Sequence, residues 1–356
     1  MTLPLAFETA SRLWRDRVTG SREYSVIRND RVHRAFLTHS PLPESEYRAA
    51  VSYRTALLRM YQDRSLEDVF PGRPVATPEG DTYCISRRHP ISLPPWDGNS
   101  TRRELLGDLS LVYGIGRHTK RYLEGRGYRT ISDLLQHRRF SHSARECLRI
   151  LEGGSSSEVL SLVSRWYPPS HSRHLASARL FDLSRILFLD IETLGIFQRP
   201  IILVGLAFVE DGWLVTDQFL VRAMEEELPA LLATGEAIRK RGILVTYNGR
   251  AFDVPYLRER SALYGEAFPD AVTHFDVLHP ARRLFGQKFA DCRLCTLEQR
   301  IFGITRDQDV PSMMVPEFYE AYAIHDNPGP LVPIVEHNCQ DLVSLARLFF
   351  YLVEAA

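Results

Sequence analysis

Apolar residues recur at helical spacing through YRAAVSYRTALLRMYQ, and the pattern predicts an amphipathic helix over about residues 45–65. The following stretch, PGRPVATPEGDTYCISRRHPISLPP, changes to turn residues and short alternating runs, which predicts one or two β-hairpins. PPWDGNS closes that region near residue 100, an Arg-rich helical segment runs to about residue 152, and EGGSSSE and a short helix lead to YPPSHSRHLAS, which reads as a linker. Beyond it, apolar runs of strand length alternate with helical stripes. Strands are predicted at 186–190, 201–208, 213–221 and 243–247, with a short one in THFDVL, and helices near 224–239, 253–264 and 335–354. The expected fold class is α/β, a mixed sheet flanked by helices, behind a mainly helical N-terminal region with a β-hairpin. The expected organisation is residues 1–100, a module at 101–152, a linker at 153–180 and the α/β domain at 181–356.

The first strand of that domain, in ILFLDIETLG, carries two carboxylates. Successive strand side chains alternate in direction, so Asp190 and Glu192 share one face while Leu189 and Ile191 take the other. Adjacent anions repel and lose hydration, a cost that calls for a cation or a proton between them. Two later segments have the same character. VTYNGRAFDVPYL ends a strand at Tyr247, turns through Asn248 and Gly249, and places Asp253 at a helix start. VEHNCQDLVSLARLFFYLVEA is an apolar helix interrupted by His337, Asn338 and Asp341, with His337 and Asp341 four apart on one face. If they converge, Asp190, Glu192, Asp253 and Asp341 supply oxygen ligands for two hard divalent cations, the arrangement suited to phosphodiester hydrolysis. Asp253 alone also reads as a helix cap.

Balanced charge, 44 Lys and Arg against 44 Asp and Glu, conceals an asymmetry. Residues 1–176 hold 27 basic and 19 acidic residues, and the remainder holds 17 and 25. A basic half able to hold a polyanion and an acidic half able to hold metal account for this, as do the solvated faces of two ordinary domains. Five cysteines are too few and too scattered for a disulfide framework and fit a reducing compartment; Cys292 and Cys295 read as small residues near a helix start. No apolar run approaches a bilayer span, and MTLPLAFETASRLWRD lacks the pattern of a secretion signal, so the expectation is a cytoplasmic protein with no membrane partner.

The basic excess concentrates at 101–150, with 11 basic and 5 acidic residues. There LVYGIGRHTKRYLEGRGYRTISDLL reads as a helix, the turn Gly114-Ile115-Gly116 and a second helix, with Ile131, Leu134 and Leu135 packing back. This looks like a helix-hairpin-helix element, whose glycines allow close backbone approach to a phosphate. Gly114, Gly116, Arg117, Lys120 and Arg121 are its candidate nucleic-acid contacts, with His118 among them in sequence. The same Gly-x-Gly also serves simply to join two packed helices.

Taken together, the acidic motifs resemble the DEDD exonuclease superfamily, whose fold is RNase H-like. YNGRAFD is similar to the second motif of the proofreading domains of family B DNA polymerases. YNGRAFDVPYLRER, HFDVLHPARRLF, CRLCTLEQRIFGI, DVPSMMVPEFYEAY and EHNCQDLVSLARL together resemble the YprB-like ribonuclease H-like family over about residues 180–354. The resemblance implies a metal-dependent nuclease with Asp190, Glu192, Asp253 and Asp341 as ligands, here to two Mg²⁺ or Mn²⁺ ions; the expected substrate is single-stranded DNA, and cutting from its 3′ end is expected from the resemblance alone. It departs from the superfamily at His337, a histidine at the spacing of the tyrosine variant. A histidine there can position or deprotonate water, or stand by as a hydrogen-bonding neighbour. Asn248 is read as a nucleic-acid contact or as the turn itself, Asp276 as lying at the rim of the cluster, and Arg282 and Arg283 as phosphate contacts or surface residues. A ribonuclease acting on RNA or an RNA:DNA hybrid, and a non-catalytic DNA-binding scaffold, are the alternative functions.

Overall fold

The computed structural model describes residues 25–28, 31–33, 41–195, 199–269, 273–306 and 310–355. The N-terminal stretch read for a secretion signal lies outside the described residues. Strands β1 (Ser25–Arg28), β2 (Arg31–His33) and β3 (Pro41–Pro43) form a small sheet of order β2-β1-β3, followed by helices α1 (Glu44–Met60) and α2 (Leu66–Val69).

Seven strands make the central sheet: β4 (Arg73–Thr77), β5 (Gly80–Pro90), β6 (Ile186–Thr193), β7 (Ile201–Glu210), β8 (Trp213–Leu220), β9 (Ile243–Thr246) and β10 (Thr273–Asp276). Their spatial order is β10-β9-β6-β7-β8-β5-β4. The β10-β9-β6 part is parallel and the rest antiparallel, the mixed sheet of an RNase H-like fold. β7, β9 and the first four residues of β6 are almost wholly apolar because both of their faces are covered. The hairpin expected in residues 73–90 is present, and β5 pairs with β8 from Tyr83↔Leu220 to Pro90↔Trp213, so it extends the sheet of the C-terminal half.

Alternation along β6 sorts the two faces. Leu187, Leu189 and Ile191 pack with Ala230, Leu231 and Ile238 of α8 (Glu227–Arg241) and with Tyr256 and Leu257 of α9 (Asp253–Leu263). Ile186 and Phe188 pack on the other side with Leu342, Leu345 and Phe349 of the last helix, α13 (Val332–Glu354). Asp190 and Glu192 continue that second face, beneath α13. This helix starts three residues earlier than the apolar stripe predicts, because Pro333 sits in its first turn, where no backbone N–H is needed.

Helices α3 (Gly98–Leu106), α4 (Arg117–Gly125), α5 (Ser141–Gly153), α6 (Ser156–Ser164) and α7 (Ser172–Ala176) share one apolar cluster with α13. Two expectations differ here. Residues 153–180, expected as a linker, are largely helical and bury Val159, Leu162, Val163, Leu175 and Ala178. The helix expected directly before Gly114 ends at Leu106, and only a short 3-10 turn, Leu109–Leu111, intervenes. Asp108, fully buried at that break, explains both: it takes Lys120 Nζ at 2.9 Å, Arg173 Nε at 3.2 Å and the Tyr167 hydroxyl, binding the supposed linker to the hairpin. The remaining helices are α10 (Leu278–Phe285), α11 (Leu294–Phe302) and α12 (Val315–His325).

Candidate active site

β6 runs through Thr193 with a register irregularity at Glu192/Thr193, so both carboxylates lie within the strand. Asp190 pairs with Gly205 of β7, and a Cβ on Gly205 would lie 2.1 Å from Asn338 Oδ1. Only glycine leaves room for that carboxamide, whose Nδ2 donates to Asp190 Oδ2 at 2.8 Å. Its orientation is fixed from behind: buried Gln218 Nε2 donates to Asn338 Oδ1 at 2.9 Å and to the Val335 carbonyl at 2.9 Å.

Asp253 opens α9, as expected, and is 5% exposed. The Ile191 amide donates to its carboxylate, tying the helix start to β6. Desolvation pushes its pKa up to about 7, and the charges of Asp276 and Asp341 add to the rise. Desolvation also holds Asp190 well above the ordinary carboxylate range, reinforced in turn by Asp341, Asp253 and Glu192 and partly relieved by the Asn338 hydrogen bond. Asp190 thus feels the charges of the other three carboxylates that the sequence singles out.

Asp276 is 3% exposed and builds the turn before α9, accepting from the amides of Asn248 at 2.8 Å, Arg250 at 3.1 Å and Leu278 at 3.2 Å. Asn248 takes a left-handed conformation, φ 68°, that asparagine tolerates, so its backbone serves the turn while its side chain is exposed. Gly249 follows because a Cβ there would lie 2.5 Å from Thr246 Cβ. Arg282 and Arg283 are exposed on α10.

On α13, His337 Nε2 lies 3.5 Å from Asp341 Oδ2. Asp341 also takes a hydrogen bond from Arg306 Nη2, and Arg306 Nη1 approaches His337 Nδ1 at 3.3 Å. Arg306 is held by Glu298, 1% exposed, through Nε at 2.5 Å and Nη2 at 3.0 Å; the Ser344 hydroxyl also donates to Glu298. Sequence reasoning assigned no role to Arg306, Glu298, Asn338, Gln218 or Gly205. Signals existed for two of them: a glycine inside an apolar strand, and a glutamate beside Leu297 on the apolar stripe of α11.

The donor set is oxygen-rich and its charges repel, which fits a hard divalent cation. As the side chains stand, no three His, Cys, Asp or Glu among the described residues are close enough to hold an ion, and Asp341 is shared with Arg306. All five cysteines are free, with Cys292 and Cys295 outside any metal cluster among the described residues. No helix among the described residues is long and apolar enough to cross a membrane.

In the basic module Gly114 has φ 86° and Gly116 caps α4 without a side-chain bond. Arg117, His118 and Arg121 are exposed, whereas Lys120 is engaged by Asp108. Of the residues expected to pack behind the turn, Ile131 and Leu134 are fully buried and Leu135 is partly buried against the same cluster, which Ile115 and Leu123 join.

Residues 187–353 match the family model described as the RNase_H superfamily. A Bacillus subtilis (strain 168) protein described as "Uncharacterized protein YprB" is 32% identical over 203 residues, 56% of this chain and 49% of that protein. The chain thus spans about half the length of this curated relative. Among solved structures, the family B DNA polymerase of the hyperthermophilic archaeon Pyrobaculum calidifontis is similar over 47% of this chain and 24% of the polymerase, with 16% identity and a TM-score of 0.38. The residues that match the RNase_H superfamily model include the acidic strand β6 from Leu187 onward and strands β7–β10 of the mixed sheet.

Proposed function

We propose that the protein is a metal-dependent nuclease that hydrolyses phosphodiester bonds, acting as an exonuclease on single-stranded DNA from the 3′ end. One observation carries this reading: Asp190, on the interior strand β6 of the sheet, is held well above the ordinary carboxylate range by desolvation and by the neighbouring charges of Asp341, Asp253 and Glu192. Such a cost is sustained where a cation is bound. Asp190, Glu192, Asp253 and Asp341 would hold two Mg²⁺ or Mn²⁺ ions, Glu192 and Asp341 with Asp190 on the side of the attacking water and Asp253 on the side of the leaving group. Bound there, divalent ions lower the pKa of an attacking water and neutralise charge developing on the phosphate.

The chain's own groups divide the remaining work. His337, beside Asp341, positions the nucleophile and accepts its proton. Asn338 fixes the rotamer of Asp190. Arg306 holds Asp341 from the side of Glu298 and must share that carboxylate with an incoming ion. The 3′ to 5′ direction rests on the resemblance of the motifs. Exposed Arg117 and Arg121, beside the Gly114 turn, support nucleic-acid binding by the basic module.

The Arg306–Asp341 pair favours one second reading, a DNA-binding scaffold whose acidic cluster is neutralised from within. Single-stranded DNA and RNA of one sequence, each labelled at the 5′ end and incubated with Mg²⁺, Mn²⁺ or chelator, separate the readings. The nuclease yields a metal-dependent ladder shortening from the unlabelled end of the DNA. A ladder only on RNA selects a ribonuclease, and binding without cleavage on single strands, duplex or hybrid selects the scaffold.

A further inference from the structure

Large aromatic side chains are strongly favoured for burial, and polar edges rarely justify leaving a ring in water. Among the described residues the exposed aromatics are Tyr113, Tyr122, Trp166, Trp213 and Tyr351, and the first three belong to the helical module of α3–α7. Tyr113 is 77% exposed and Trp166 39% exposed, yet the two rings meet each other, with centroids 6.2 Å apart and planes inclined at 49°. The contact joins the hairpin turn, through the residue preceding Gly114, to the segment after α6. The same module buries Leu109, Leu111, Val112, Ile115 and Leu123 behind that turn, so its interior has been filled without these rings.

Cationic groups surround the aromatic step in sequence and on α4. Arg117 and Arg121 are exposed and one helical turn apart. Arg126 holds its guanidinium 5.0 Å from the centre of the Tyr122 ring, which is 58% exposed. The acid nearest the turn in sequence, Asp108, is fully buried and already paired with Lys120 and Arg173, so it does not offset the exposed arginines. Exposed rings with exposed arginines close by in sequence match a chain that offers flat unpaired bases and phosphates together. A duplex hides its base faces, and a membrane surface calls for a continuous apolar face, which arginines interrupt.

We propose that Tyr113 and Trp166 form a base-stacking step that seats unpaired bases of a single-stranded nucleic acid, with Arg117 and Arg121 on its phosphates. The proposal deepens the nucleic-acid reading above, but it concerns binding and does not require cleavage. It differs from the backbone contacts expected of the Gly114 turn in that it depends on the bases.

The full chain carrying Asp190→Asn is titrated, by fluorescence anisotropy, against a labelled single-stranded oligodeoxynucleotide, the ribo-oligonucleotide of the same sequence, and an abasic strand of the same length. Tyr113→Ala and Trp166→Ala are each expected to weaken binding of the base-bearing strand about fivefold or more, while Tyr113→Phe and Trp166→Phe stay within about twofold. The abasic strand is bound weakly and equally by Asp190→Asn alone and by its combination with Tyr113→Ala. The DNA and RNA arms show which sugar the step accepts. Unchanged melting of the alanine variants confirms that they fold, as expected for exposed rings; unchanged affinity in folded variants, or equal affinity for base-bearing and abasic strands, overturns the proposal. Base-dependent binding in a wild-type protein that cleaves nothing with any metal would uphold the stacking step and sink the nuclease reading. Metal-dependent cleavage with affinity indifferent to both rings would do the reverse.

Discussion

Asn338 donates to Asp190 Oδ2 at 2.8 Å from a position that exists only because residue 205, paired with Asp190 across the sheet, has no side chain. The consequence is coupling between a strand glycine and a helix asparagine. Gly205→Ala should destabilise the fold by about 1–3 kcal/mol, through overpacking. Asn338→Ala should cost about 1–3 kcal/mol by leaving the buried Gln218 amide short of an acceptor. Urea denaturation of the singles and the double should show Gly205→Ala costing less once Asn338 is alanine. Strictly additive costs would mean that the two do not share one space.

Arg306 spans Glu298, 1% exposed, and Asp341. Arg306→Met strands a buried carboxylate and should cost about 3–5 kcal/mol, whereas Glu298→Gln with Arg306→Met should recover much of it. Mn²⁺ affinity gives a separate reading of the same residue. With its competitor for Asp341 removed, the double variant should bind Mn²⁺ more tightly than wild type by calorimetry, even where turnover falls.

Burial pushes the Asp253 carboxyl up to about 7, so between pH 4 and pH 7 the folded chain retains a proton that the unfolded chain has lost. Stability of the metal-free protein should therefore fall as pH rises through that window and level off above it. Asp190, raised by burial and by its three acidic neighbours, acts in the same direction. Melting in chelator should show a drop of roughly 5 °C or more from pH 5 to pH 7.5, shrinking in Asp253→Asn and offset by added Mn²⁺.

Much of this site was legible because strand and helix periodicities are rigid. Alternation alone put Asp190 and Glu192 on one face of β6, and helical spacing put His337 with Asp341. The supports were not legible, because they join segments remote in sequence: Gln218 reaches α13 from β8, and Arg306 reaches it from the loop after α11. The linker reading failed for the same reason. YPPSHSRHLAS has the composition of a spacer, but Arg173 and Tyr167 within it converge on Asp108, which no local pattern reveals. The hairpin at 73–90 was readable as a hairpin, while its pairing with β8 depends on a contact between strands more than a hundred residues apart.

His337 stands 3.5 Å from Asp341 at a spacing where a bystander and a proton acceptor look alike in sequence. The proton-acceptor role predicts that His337→Ala lowers kcat about 10²–10⁴-fold with strand affinity unchanged. Steady-state kinetics beside a binding titration check it; a loss confined to KM would assign the residue to substrate contact.

The central claim is that clustered carboxylates perform metal-dependent hydrolysis, and single-turnover cleavage tests it most directly. Wild type and Asp190→Asn are each mixed in excess with labelled single-stranded DNA, bound to saturation, and started with Mn²⁺. The account predicts rapid cleavage by wild type, a rate lower by about 10³-fold or more in Asp190→Asn, and equal strand binding by both. Equal cleavage rates, or a wild-type rate indifferent to chelator, would contradict it.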